Sequence, residues 1–242
     1  YIVLLMERMS EIAALLGKYS ETARYTDFGN KVREGYQHLM EAPKFSLDTD
    51  RQAKLIRPLH LDLLTGQQAE YAQKRLLQAL DNYGWRLGTG FLSTPFILDV
   101  LTKMDVEYAY RLLENEELPG WLCMPKQGAT TIWENWEGPN THKPASLNHY
   151  SKGAVCRWVF DSMCGIHVDG ENHFVIAPRP GGHFSHAKAS YRSIYGLVES
   201  GWEKAEAGFV FTVTVPANCT AAVFLPGGQE LAQESGTQVY TV

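Results

Sequence analysis

No basic tract runs through this 242-residue chain, and no Lys/Arg cluster is interleaved with aromatics. Together with a formal net charge of -5, that argues against nucleic acid and against anionic membrane surfaces as partners. No P-loop, dinucleotide fingerprint, nucleophile elbow or Cys/His dyad spacing occurs, so neither a phosphate cradle nor a nucleophilic acyl-transfer centre is expected. Long apolar runs are missing too. The opening Tyr1-Ile2-Val3-Leu4-Leu5-Met6 is far too short to span a bilayer and has neither a basic flank nor a cleavage site, so no anchor or signal peptide is expected. The four cysteines (Cys123, Cys156, Cys164 and Cys219) show no C-x-x-C spacing and are expected to be free, buried thiols. Such usage suits a reducing compartment, but a periplasmic protein can also carry unpaired cysteines, so localisation stays open. The histidines are scattered. His183-Phe184-Ser185-His186 reads as a turn-like pair without a third ligand, and neither a metal nor a cofactor is expected.

What is present falls into two parts. Up to about residue 165 the apolar period is helical, beginning with Leu4, Leu5, Met9, Ile12, Leu15 and Leu16, then Phe28, Val32, Tyr36 and Leu39. Further helices are expected over 48–64, where Pro58 should kink or interrupt the run, and over 67–83, 94–101, 106–114 and 148–163. The last should close at Cys164-Gly165, with Gly as its C-terminal cap. About two helices per forty residues suits stacked antiparallel pairs in a toroid or solenoid. Beyond residue 165 apolar alternation over 173–177, 209–215 and 220–225, separated by Pro and Gly turns, reads as a β module. The expected division is 1–165 and 166–242.

One short string concentrates the chemistry. Gly128-Ala129-Thr130-Thr131-Ile132-Trp133-Glu134-Asn135-Trp136-Glu137-Gly138 brackets a carboxylate with two indoles after a Gly-containing turn. Indole faces stack on the apolar C–H faces of a pyranose, and a neighbouring carboxylate can bind hydroxyls or activate water at the anomeric carbon. The plainer alternative is a buried aromatic cluster beside a solvated Glu. Loops 85–91, 118–122, 128–138 and 148–151 all fall at or between helix ends, where successive connections of a helical toroid can share one pocket. Glu134 is the candidate base, since partial desolvation between the indoles would raise its pKa. Glu137, beside Gly138-Pro139, is its competitor. Asn148 and His149, opening the next helix, are candidate ligands for sugar hydroxyls, and the alternative for His149 is a capping or core histidine.

Four strings taken in order resemble bacterial α-L-rhamnosidases of glycoside hydrolase family 78. They are Gly90-Phe91-Leu92-Ser93-Thr94-Pro95-Phe96-Ile97-Leu98, Ala109-Tyr110-Arg111-Leu112-Leu113, Gly128-Ala129-Thr130-Thr131-Ile132-Trp133-Glu134 and Asn148-His149-Tyr150-Ser151-Lys152-Gly153-Ala154-Val155. The resemblance runs from about residue 50 to the end and is strongest over 89–165. It implies a mainly α fold with a C-terminal β domain: the later helices of an (α/α)6 barrel, then an antiparallel β-sandwich. It implies that Glu134 is the general base of an inverting hydrolysis of terminal α-L-rhamnosyl residues and that His149 contacts the rhamnose, with Trp133, Trp136 and Asn148 around it. Inversion uses two carboxyl groups roughly 6.5–9.5 Å apart. The family's acid lies in an Arg-Asp-Glu-Arg-x-Gly-Trp type string that this chain lacks, and Glu114-Asn115-Glu116-Glu117-Leu118-Pro119-Gly120-Trp121 corresponds to a different family segment.

With no initiator Met, the chain reads as the C-terminal part of a rhamnosidase, without turnover alone and prone to self-association through unpartnered apolar helix faces. The competing reading is a non-catalytic carbohydrate-binding or scaffold protein of the same fold. A third is another α-toroid enzyme such as a lyase, against which the acidic balance argues if the substrate is a polyanion.

Overall fold

Apolar residues at three-and-four spacing in the first forty positions produce a helical hairpin, α1 (Ile2–Leu15) and α2 (Tyr19–Glu41), reversing at Gly17. The computed structural model describes residues 1–41, 46–142 and 145–242, and it divides into two units, residues 1–100 and 101–242. In the first unit only part of the hairpin's apolar surface is covered. Val3 is buried with Leu61 and Leu63, and Leu4, Val32 and Tyr36 pack around them. Ile2, Leu5, Met9, Ile12, Leu15 and Leu16 stay exposed.

The next helix is shorter than its apolar pattern suggests. α3 spans Gln52–His60, not 48–64, because Ser46 and Thr49 hydroxyls accept the backbone N–H groups of Asp48 and Arg51 at 2.9 and 3.2 Å. Those local turns compete with helical hydrogen bonding. Pro58 does not break the helix but sits inside it, and the helix stops two residues later. α4 (Gly66–Asn82) starts from a capping box in which Gln68 Oε1 accepts the Thr65 N–H at 3.1 Å. Leu55 and Ile56 of α3 and Leu76 and Leu80 of α4 are fully buried. Buried Gln52 accepts the Gly88 N–H at 2.8 Å and donates to the Arg86 carbonyl at 2.9 Å, so the 85–91 loop belongs to this unit's framework. α5 (Thr94–Met104) begins at the expected Thr-Pro pair.

In the second unit α6 (Val106–Leu113) is capped by Asp105, which accepts the Glu107 N–H at 2.9 Å. A single turn, α7 (Cys123–Lys126), follows and was not foreseen from periodicity. The single helix expected over 148–163 is in fact three pieces: α8 (Tyr150–Gly153), α9 (Val155–Trp158) and a π-helical turn, Val159–Met163. Trp158 anchors the middle piece, donating to Thr102 Oγ1 at 2.8 Å and meeting Tyr110 edge-on at 5.2 Å. The cysteines are all free. Three are buried, as expected, but Cys156 is exposed because this short helix turns it outward while Trp158 points in.

The strands form two four-stranded sheets. β1 (Ile166–Val168), β2 (His173–Ile176), β6 (Thr220–Leu225) and β7 (Gln229–Gln233) make one, in the order β1-β2-β6-β7. β3 (His186–Ser193), β4 (Gly196–Lys204), β5 (Phe209–Val215) and β8 (Gly236–Thr241) make the other, in the order β3-β4-β5-β8. Pairing is antiparallel except between β2 and β6. Inward side chains alternate along the strands: Phe174, Ile176, Ala221, Val223 and Leu225 in one sheet, Val198, Trp202, Phe211, Val213 and Val215 in the other. Buried Gln233 bridges the sheets, donating to the Val213 carbonyl at 3.1 Å.

The β module is tied to the helices of its own unit by hydrogen bonds. Ser200 and Trp202 of β4 donate to the carbonyls of Cys164 and Met163 at 2.5 and 2.8 Å, and Tyr110 donates to the Arg179 carbonyl at 2.6 Å. Burial, with Cys164, Glu107 and Glu114 nearby, pushes the Tyr110 phenol far up, so it stays a donor. Gly165 marks the change from helix to strand. Its φ of 71° lies in the left-handed region, and a Cβ there would collide with the Ala177–Pro178 backbone. Gly165→Ala should therefore cost at least about 2 kcal/mol of stability, measurable by urea unfolding.

Candidate active site

The site is assembled in the second unit from a loop and the start of a helix. After α7 the chain turns at Gly128 and runs out through Thr131, Ile132, Trp133 and Glu134, and after the short 3-10 turn Gly138–Asn140 it returns past Ser146 to α8. The two runs bind each other through backbone. Glu134 N–H donates to the Ser146 carbonyl and His149 N–H to the Ile132 carbonyl, both at 2.8 Å, and the Thr131 hydroxyl reaches the Leu147 carbonyl. Residues fifteen or so positions apart are thereby brought alongside. His149 sits at the N-cap of α8, makes no side-chain capping bond and stacks on Tyr150 at 5.6 Å. Exposed Asn148 is fixed by its backbone, whose N–H donates to Ser146 Oγ at 3.1 Å.

Glu134 is exposed. One carboxylate oxygen, Oε2, accepts the Ser146 N–H at 3.0 Å, and Oε1 makes no hydrogen bond to another described residue. The expected arrangement, a carboxylate desolvated between two stacking indoles, is not what forms. Trp133 points inward, 6% exposed, packed with Cys123 and Met124, while its neighbour Glu134 faces solvent. Gly138, at φ 63°, lies directly on the Trp133 ring, where any Cβ would overlap the indole. Trp133 is thus committed to the core. Trp136 is half-buried, with Trp121 edge-on at 6.5 Å and the Lys152 ammonium 3.6 Å from its ring centroid. Glu137 is as exposed as Glu134 and makes no hydrogen bond to a described side chain.

Two residues that motif reading did not single out complete the cluster. Trp121 donates its indole N–H to the Lys152 carbonyl at 3.0 Å, and Lys152 donates to the Glu134 carbonyl. Burial lowers the Lys152 pKa to about 8, against the opposing pull of Glu137, Cys123 and Glu134. The signal for Trp121 lay in its position within the suspect loop 118–122, and for Lys152 in its place in the Asn148–Val155 string. The expected loops 118–122, 128–138 and 148–151 therefore do meet, whereas loop 85–91 belongs to the first unit.

Among the described residues no group of three or more His, Cys, Asp or Glu could hold a metal, and no helix is long and apolar enough to cross a membrane. The His183 and His186 pair is used locally. His183 Nδ1 lies 2.7 Å from Glu114 Oε2, and His186 Nδ1 lies 3.0 Å from Ser185 Oγ.

Comparison with known proteins decides the family. The family model described as bacterial alpha-L-rhamnosidase 6 hairpin glycosidase domain matches residues 1–163, and that of the bacterial alpha-L-rhamnosidase C-terminal domain matches residues 168–239. The chain belongs to the bacterial α-L-rhamnosidase family. An α-L-rhamnosidase of Streptomyces avermitilis is 35% identical over 226 residues, 90% of this chain and 22% of that protein. One of Formosa agariphila is 34% identical over 227 residues, again 90% of this chain and 24% of the relative. The chain thus spans about a quarter or less of the length of these rhamnosidases.

Solved structures agree in fold. The native α-L-rhamnosidase of Aspergillus terreus superposes on 99% of this chain and 29% of its own, with a TM-score of 0.89 and 28% identity. The Streptomyces avermitilis enzyme, solved with L-rhamnose, covers 96% of this chain and 25% of its own, with a TM-score of 0.85 and 32% identity. The helices and two sheets described above are therefore those of a six-hairpin glycosidase domain and the rhamnosidase C-terminal domain.

The packing of Trp133 leads to a direct expectation. Trp133→Ala should lower stability by about 3–5 kcal/mol, as for other buried aromatics, when urea unfolding of the variant is compared with the parent chain.

Proposed function

We propose that this chain is the C-terminal part of an inverting α-L-rhamnosidase, with residues 1–165 forming later helices of the (α/α)6 barrel and residues 166–242 the β-sandwich that follows. The observation that carries the mechanism is the Glu134 carboxylate. One oxygen is tethered by the Ser146 N–H, and the other, in an exposed position, makes no hydrogen bond to another described residue. A carboxylate held by one oxygen keeps its direction while the second accepts a proton from water. In this reading Glu134 deprotonates the water that attacks the anomeric carbon of a terminal α-L-rhamnosyl residue. The C–O bond to the leaving group breaks with inversion, and an acid protonates the departing oxygen.

His149 and Asn148, drawn beside Glu134 by the pairing of 132–134 with 146–149, hydrogen-bond rhamnose hydroxyls. Trp136 offers apolar surface to the sugar. Trp133, fully packed, supports the loop from below rather than touching the substrate. The acid is assigned outside these 242 residues, because no string of the family's acid type occurs among them. The Streptomyces relative was solved with L-rhamnose, which supports the same sugar for this site.

In the complete protein, Glu134→Gln should lower kcat on an aryl α-L-rhamnoside by roughly 10²–10⁴-fold. Undiminished hydrolysis would remove the base assignment. The first-formed anomer, followed by proton NMR, should be inverted, and a retained product would exclude direct displacement by a water that Glu134 activates. The 242-residue chain alone should show no turnover, which a rate near that of the complete enzyme would contradict.

We further infer that the 242-residue chain associates with itself through α1. Ile2, Leu5, Met9, Ile12 and Leu15 are exposed on α1 and Leu16 just after it, and copies can bury this surface against each other. Light scattering should report species larger than a monomer that shrink with Leu5→Lys and Ile12→Lys. A monomer across the concentration range would refute it.

A further inference from the structure

Lys152 occupies an unusual position for a cation. It is the third residue of α8, the same short turn that holds His149 at its N-cap, so it moves with the proposed sugar ligand. Its ammonium donates to the Glu134 carbonyl and lies over the Trp136 ring, 3.6 Å from the centroid. Its own carbonyl accepts the Trp121 indole N–H at 3.0 Å, and Trp121 in turn meets Trp136 edge-on. The side chain is half-buried and forms no carboxylate ion pair among the described residues. One peptide oxygen and one indole face replace the water that a lysine ammonium ordinarily keeps.

We propose that Lys152 is a positioning residue for Glu134, its ammonium tying the Glu134 peptide to the Trp136 indole and so setting the direction of the carboxylate. This rests on the reading of Glu134 as the base. Among the described residues Ser146 holds Glu134 through its N–H and one carboxylate oxygen, and Lys152 holds its carbonyl. Without the Lys152 bond, the Glu134 peptide keeps its Ser146 pairing, and the turn keeps the Gln127 amide on the Trp136 carbonyl at 3.1 Å, but the Glu134 carbonyl loses its tie to the Trp136 ring and the carboxylate can swing with the peptide. Misplacing a general base by an ångström is enough to cost much of its contribution.

The charge state of Lys152 makes the role visible. Burial lowers its pKa to about 8, and the groups facing it, Glu137 and Glu134 from the loop and Cys123 from α7, oppose that shift. Below about pH 8 the ammonium is present and the clamp is closed; above it the neutral amine gives up the attraction to the indole face and the charge-assisted bond to the carbonyl. Stability runs the other way. The unfolded chain binds this proton more tightly, so the destabilisation from the buried charge fades as pH rises from about 8 towards the ordinary lysine value. A cation that the fold disfavours and yet retains against the loop of the candidate base fits a role in orientation.

The test is kinetic, in the complete protein with an aryl α-L-rhamnoside. Lys152→Met should lower kcat by roughly tenfold or more with KM little changed, and the alkaline fall in kcat near pH 8 should vanish. Lys152→Arg should restore most of kcat and move the alkaline fall upward, because arginine stays charged. Wild-type kcat in Lys152→Met, or a loss equal at every pH with the alkaline fall unmoved, would overturn the proposal. If Lys152→Met does not fold, Lys152→Arg decides, since an alkaline fall at the wild-type position then counts against it. Glu134→Gln run alongside separates the two readings. Its activity at the wild-type rate removes the base assignment, whereas a dead Glu134→Gln beside a fully active Lys152→Met removes only the role of Lys152.

Discussion

The pairing of residues 132–134 with 146–149 is the constraint on which the candidate site depends. Two backbone hydrogen bonds of 2.8 Å and the Ser146 N–H on the Glu134 carboxylate convert a long, irregular excursion between α7 and α8 into a defined shelf. Loops without such bonds leave their polar groups to water and their side chains free to wander. Here the same few bonds decide three things at once: where Glu134 projects, that His149 opens α8 beside it, and that Lys152 one turn later reaches back to the loop.

Beneath that shelf lies the burial of Trp133. An indole packed with Cys123 and Met124 under Gly138 fixes the loop to α7, and burial of an aromatic of this size is among the larger single contributions to local stability. The adjacent carboxylate faces solvent, held there by the Ser146 N–H. Trp136 plays a different part. Trp121 and the Lys152 ammonium hold it at the rim, so the two tryptophans that look equivalent in the string have separate duties.

Much of the fold was legible from the amino-acid pattern. Strong three-and-four periodicity marked α1, α2, α4 and α5, and β-branched alternation marked β2, β5 and β6. What escaped notice has a physical cause. β3 and β4 turn Ala189, Ser200 and Gly201 inward among their larger residues, and β7 and β8 are edge strands with mostly exposed side chains, so neither pair carries a clean apolar alternation. The single helix expected over 148–163 splits around Ala154 and widens to a π turn, because Trp158 must reach Thr102 and Tyr110 while the turn's end meets β4.

Sequence alone determined the family. A carboxylate between tryptophans, followed at a set distance by Asn-His-Tyr, is local information carried by residue identity and order, and the family models match over the same span. Only the tertiary structure decided what surrounds each residue. Whether an indole is platform or core depends on what covers its faces, and Gly138, Cys123 and Lys152 are recruited from segments that no periodicity links to it. The sandwiched carboxylate that the string suggested became an exposed one tethered by a distant peptide, because backbone pairing across the loop outweighs the order of neighbours along the chain.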